Sequence, residues 1–208
     1  MALDISNVFY LCFRLGPFLV VSYFLFQSVL NWELRGIVYL CGLLMASVLA
    51  YLCNGPVNSL FPPEVGHVYA QNAKCNVISL GENGRMLSQI PLSVCVYAYT
   101  FFYLLMFLVG TPVATSMSVT LTQNIPTLVL FPALCGFEIF WIVANNCVPQ
   151  PLFSILAAVL ISGAVGIIWA MVVISLKNDN LTYLNDTQLG RKCSMNTKTL
   201  FKCRPKKF

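Results

Sequence analysis

Charge is what this sequence has least of. Only 9% of its 208 residues are Asp, Glu, Lys or Arg, whereas 58% are hydrophobic. A water-soluble domain of this size has too much exterior to be covered by so few charges, so that class is excluded. In hydrocarbon the demand reverses, because apolar side chains can face outward. Histidine is almost as scarce. The single one, His67, follows Pro62-Pro63-Glu64-Val65-Gly66 with no second ligand at a helical or hairpin spacing. It reads as an ordinary loop residue, and neither a metal nor a cofactor is expected. A cleaved leader is not indicated either: Asp4 stands where a basic stretch would be needed, and no small-residue cleavage site follows the first apolar run.

What the sequence has is long apolar runs. They predict an all-α fold, a polytopic integral membrane helix bundle of about five transmembrane helices. The expected spans are 8–30, 36–53, 90–110, 125–144 and 151–176, with a polar, turn-rich loop at 54–89. Arg14 and Gly16-Pro17 lie inside the first run. Arg14 is therefore expected to snorkel to the interface, with the true span starting near Pro17. The uncharged stretch 111–124 reads either as a loop lying in the interface or as a continuation packed on other helices. Residues 1–176 form the bundle, and 177–208 a basic tail.

Eight of the twelve basic residues follow Ile174, opposed there only by Asp179 and Asp186. Basic character thus belongs to one solvated segment, and no nucleic-acid partner is expected. With five spans and a cytoplasmic tail, Arg35 joins those eight, while Lys74 and Arg85 face the other side, and the excess of basic residues inside favours that orientation. The sequons at Asn180 and Asn185 would then go unused. Lys192, Lys198 and Lys202 in the tail, with Lys74 and Arg85 in the loop, are the candidate contacts for lipid phosphate or an acidic partner. A bare topology signal explains the tail equally well.

Glu138 falls inside the fourth span, where a carboxylate costs several kcal/mol unless protonated, paired or hydrated. Arg14 is the only strongly basic residue expected near membrane depth, so the two form a candidate intramembrane polar site. A structural hydrogen bond between helices is the plainer reading of Glu138. In the fifth span, Ala157-Ala158 and Ser162-Gly163-Ala164-Val165-Gly166 supply small residues for close helix packing, inside the chain or between two copies. There are nine cysteines. Cys12, Cys41, Cys95 and Cys135 read as apolar side chains within spans. Cys53, Cys75 and Cys147 lie at or beyond span ends on the side away from the tail, where Cys53–Cys75 or Cys75–Cys147 can bridge. Cys193 and Cys203 in the tail can bridge or carry a lipid, and a reducing cytoplasm opposes the bridge.

Two resemblances bear on function. The run Arg35-Gly36-Ile37-Val38-Tyr39-Leu40-Cys41-Gly42-Leu43-Leu44 is followed by Cys75-Asn76-Val77-Ile78-Ser79-Leu80-Gly81 before Ser88 and Pro91. With Lys192-Cys193-Ser194 and Phe201-Lys202-Cys203, these motifs resemble a small multi-span membrane protein family of nucleocytoplasmic large DNA viruses. That likeness implies a component of a virion internal membrane, or of the host endoplasmic reticulum that supplies it, with no catalytic activity. The partners expected from composition, the basic tail and the small residues of the fifth span are the lipid bilayer, anionic lipids or acidic viral proteins, and a second copy of the chain. The second resemblance is to type 2 phosphatidic acid phosphatases, carried by Asn54, Ser88-Gln89 and Gly163 to Trp169. That chemistry needs a histidine general acid and a histidine nucleophile, and neither 86–90 nor 145–153 holds one. It implies an inactive copy that binds lipid phosphate. A small channel or transporter is the remaining alternative, and it requires Glu138, Asn124, Asn145 and Asn146 to line one cavity.

Overall fold

The structure is a computed structural model, and it describes residues 15–32, 34–60, 90–110, 125–145, 147–148 and 150–176, together with 193–194 and 202–203. The described part is all-helical apart from one short ribbon. In chain order the helices are α1 (Gly16–Asn31), α2 (Leu34–Leu52), α3 (Asn54–Leu60), α4 (Leu92–Gly110), α5 (Ile125–Ala144) and α6 (Pro151–Ser175). The ribbon pairs β1 (Cys193–Ser194) with β2 (Lys202–Cys203). Three segments are long and apolar enough to cross a membrane: Leu34–Pro56, Leu92–Gly110 and Pro151–Ser175. Gly16–Leu30 and Leu128–Ala144 are shorter apolar stretches of the same kind.

Local chemistry sets the helix ends. Pro17 and Pro151 sit in the first turns of α1 and α6, where a missing N–H costs nothing and the fixed φ suits the helix. α1 stops at Trp32, which turns left-handed at φ 53 and gives its N–H to the Ser28 carbonyl. It is the one non-glycine residue with positive φ among those described, and two residues later α2 runs back. The helix α3 occupies the start of the stretch expected as loop. Pro56 falls within its first turn and so does not interrupt it, and the Ser59 hydroxyl donates to the Pro56 carbonyl at 2.8 Å. Pro132 lies inside α5, whose backbone group freed by the missing N–H is tolerated in a bundle where neighbours can reach it.

Cross-helix contacts fix the directions. Phe24 of α1 meets Gly36 and Tyr39 of α2. Tyr39 meets Thr100 while Ala50 shares a cluster with Val94, so α2 and α4 are antiparallel. Ser93 at the start of α4 meets Glu138 near the end of α5, making that pair antiparallel too. Cys95 faces Ala158 and Gly110 faces Ile174, so α4 and α6 run parallel. The five long helices therefore alternate in direction, so the end of α4 at Gly110 and the start of α5 at Ile125 belong to the same end of the bundle.

The interior has two layers. One is aromatic, with Phe24, Tyr39, Tyr97, Tyr99, Tyr103 and Phe107 buried together beside Ala46 and Ala170. The other, towards the α5–α6 connector, is built of smaller side chains: Ala50, Ile90, Val94, Cys95, Ile142, Cys147, Val148 and Ala158. Large apolar residues such as Leu44, Phe140, Leu152, Leu160 and Ile168 point outward, the arrangement that a lipid solvent permits.

Candidate functional site

Glu138 is 3% exposed, on the face of α5 turned towards α4. Ser93 is a partner, donating Oγ–H to Glu138 Oε1 at 2.7 Å. Ser93 is the second residue of α4, and the first intrahelical bond there is Cys95 N–H to the Pro91 carbonyl. The N–H groups at this helix start have no acceptor within the helix, and the positive end of its dipole favours a carboxylate. Tyr97 and Cys135 lie within electrostatic reach of the same group. Glu138 stands six residues before the end of α5, about 9 Å from that end at 1.5 Å per residue. It is a polar tie near one end of the bundle rather than a charge at its centre.

A second polar constellation crosses the aromatic layer. The Thr100 hydroxyl donates to the Val96 carbonyl at 2.6 Å, which uses its only proton. The 2.6 Å contact between Tyr39 Oη and Thr100 Oγ1 therefore has Tyr39 as donor. Tyr99 gives its hydroxyl to the backbone carbonyl of Tyr39 at 3.1 Å, and Trp169 gives its indole N–H to the carbonyl of Val38 at 2.9 Å. Both donors reach the α2 backbone through one gap, Gly42. A Cβ there would collide with the Tyr99 hydroxyl and lie 2.7 Å from Trp169 Nε1. Three helices are thus joined where one side chain is missing.

The small residues of α6 serve packing within the chain. Ser154, Ala158, Ser162, Gly163, Gly166 and Ala170 form its buried face. A Cβ at Gly166 would stand 2.8 Å from the Tyr99 carbonyl, and one at Gly163 would stand 2.8 Å from the Phe102 ring. Gly163 and Trp169, two of the residues that carry the phosphatase resemblance, are thereby occupied in helix contacts.

Of the two pairings expected among Cys53, Cys75 and Cys147, the structure leaves no Cys53–Cys75 bridge. Cys53 is a free thiol, half-buried against the small-residue layer just past the end of α2. Cys147 is disulfide-bonded, to a cysteine outside the described side chains. It is 2% exposed, and its N–H closes on the Ile142 carbonyl at 3.0 Å as α5 ends. Cys41, Cys95 and Cys135 are free thiols within the helices. In the tail, Cys193 stands opposite Cys203 in the ribbon register.

Arg14, His67, Lys74, Cys75, Arg85, Lys192 and Lys198 lie outside the described residues, as do Asn124 and Asn146. Lys202 is described only as part of the β2 backbone. Arg35 is buried at the first turn of α2. Asn145 donates its amide to the Trp141 carbonyl at 3.0 Å, a bond within its own helix end. Among the described residues no three His, Cys, Asp or Glu gather as a metal site. Sequence reasoning did not single out Ser93, Tyr99 or Thr100, and it met Tyr39 and Trp169 only inside motifs, not as ties between helices. The signals available were a serine one turn into a span and a glycine opposite aromatic runs.

No known protein family, no curated protein and no solved structure matches this chain.

Proposed function

We propose that this chain is a non-enzymatic, five-span membrane scaffold, a structural or assembly component of an internal membrane of a large DNA virus. The observation that carries the scaffold reading is how the interior polar groups are used. Tyr39, Tyr99, Thr100 and Trp169 tie α2 to α4 and α6, and Ser93 with Glu138 ties α4 to α5. These ties fix one packing of the helices, which suits a protein whose task is to hold a shape. The viral assignment rests on the sequence motifs at 35–44, 75–81 and in the tail.

In this reading the tail is cytoplasmic, with Arg35 on the same side and Lys74 and Arg85 opposite. The bridged Cys147 supports that orientation independently. Cys147 lies just before the start of α6, at the end of the bundle opposite Ser175, and disulfides persist on the oxidising side of a membrane. The basic tail then meets anionic headgroups or an acidic protein, each basic residue near the surface adding about 1 kcal/mol.

Mass spectrometry of purified particles of a virus encoding this chain, before and after detergent stripping, tests the proposal. Recovery in the detergent-released fraction is expected. Confinement to cell membranes, with none in particles, would contradict it.

A further inference from the structure

The tail carries a feature that the scaffold reading does not use. Its ribbon is antiparallel, with Cys193 aligned on Cys203 and Ser194 on Lys202. Residues directly opposite in such a pair have Cα atoms about 4.5 or 5.5 Å apart and Cβ atoms about 4.5–5.5 Å apart. A disulfide accepts Cα separations of about 4.4–6.8 Å, so this register brings the cysteines within bridging range with little backbone movement. A two-residue ribbon is too short to persist in water by its own ladder, so a covalent cross-link would be its main source of order.

The flanking sequence supplies the chemistry. Cys193 follows Arg191-Lys192, and Cys203 lies between Lys202 and Arg204. An electropositive setting favours the thiolate, the form that attacks disulfides. We propose that Cys193 and Cys203 form a reversible dithiol–disulfide site, oxidised by low-molecular-weight disulfides such as oxidised glutathione. One cysteine thiolate attacks a sulfur of the small disulfide, forming a mixed disulfide and expelling one small thiol. The second cysteine thiolate then attacks the protein sulfur and expels the other small thiol. The net change turns one protein dithiol and one small disulfide into one protein disulfide and two small thiols, with two electrons passing to the oxidant. Oxidation closes a covalent ring whose sequence contains Lys198 and Lys202.

The inference is independent of the viral assignment and of the scaffold role. It is tested on the full chain in lipid nanodiscs, incubated over a series of reduced-to-oxidised glutathione ratios, alkylated, digested and read by mass spectrometry. A Cys193–Cys203 cross-linked peptide is expected, appearing within one chain and reversing when glutathione is reduced. A companion variant moves one thiol by a single position, C193S with S194C. Because the moved thiol then stands in register with Lys202 rather than Cys203, its intramolecular bridge should fall by roughly tenfold. Glutathione adducts on both Cys193 and Cys203 of one chain in place of the bridge at every ratio, links between chains, or equal bridging in the shifted variant would each overturn the proposal.

Discussion

Trp169 and Val38 stand 131 positions apart in the chain, and the indole N–H of the first lies 2.9 Å from the carbonyl oxygen of the second. The bond exists because Gly42, one turn after Val38, leaves the α2 backbone uncovered. Tyr99 uses the same opening to reach the carbonyl of Tyr39. A carbonyl that already serves its own helix gains a second donor here, so the bond adds specificity without leaving an orphan group if it is lost.

That distinction gives the first prediction. Trp169→Phe keeps an aromatic ring and removes only the donor, at a cost of about 0.5–1 kcal/mol. Trp169→Ala also empties the space beside Gly42 and should cost about 3–5 kcal/mol. Denaturation of the purified protein in mixed micelles, followed by fluorescence of the remaining tryptophans or by circular dichroism, separates the two.

Glycine positions offer a matched pair. Gly42→Ala drives a methyl into the Tyr99 hydroxyl and the Trp169 ring and should destabilise by about 1–3 kcal/mol. Gly136→Ala on α5 meets nothing within 4 Å. It should be neutral or stabilising by up to about 1 kcal/mol, since alanine is the better helix former. The same unfolding assay reads both, and equal effects at the two sites would contradict the close three-helix contact.

For Glu138, the hydrogen-bonding ability of the side chain should matter more than its charge. Glu138→Gln retains an acceptor for Ser93 Oγ and should cost under about 1 kcal/mol, while Glu138→Ala removes it and should cost about 2–3 kcal/mol. Ser93→Ala alone should cost about 1 kcal/mol, and the Ser93→Ala/Glu138→Ala double variant should show a coupling energy of about 0.5–1.5 kcal/mol. Additive effects would mean that the 2.7 Å bond contributes nothing to stability.

The cysteines yield a chemical prediction. Cys53 should react with a maleimide in unfolded protein whether or not it is first reduced, and Cys147 only after reduction. Reducing that bridge should lower stability by about 2–5 kcal/mol.

The helices were legible in the sequence for reasons visible in their ends. Pro91 precedes α4, Pro151 opens α6, and the Asn31–Leu34 turn is too short for anything but a hairpin. Apolar runs between such marks leave few choices, and the reading of 125–144 coincides with α5. The small residues of α6 announced a close-packed face, which the structure places against α4. Other features were hidden because they depend on register between distant segments. Nothing in the spacing of Tyr39, Tyr99 and Tyr103 tells which ring meets which, and Gly42 looks like any glycine until Trp169 is beside it. Glu138 was recognised as exceptional, yet its hydrogen-bond donor is a serine that no pattern marks. The αL turn at Trp32 was equally silent, since a bulky aromatic residue seldom adopts that conformation.

The central proposal is that the five alternating helices each cross one membrane, with the tail and the Cys147 connector on opposite faces. Single cysteines introduced into a background lacking the other reactive thiols, at 111–124, at 61–89 and after residue 176, and labelled with an impermeant maleimide in sealed oriented vesicles, test it directly. Labelling of 111–124 and the tail from the cytoplasmic face, and of 61–89 only after the vesicles are opened, is the predicted result. Labelling of 61–89 and the tail from the same face would contradict the account.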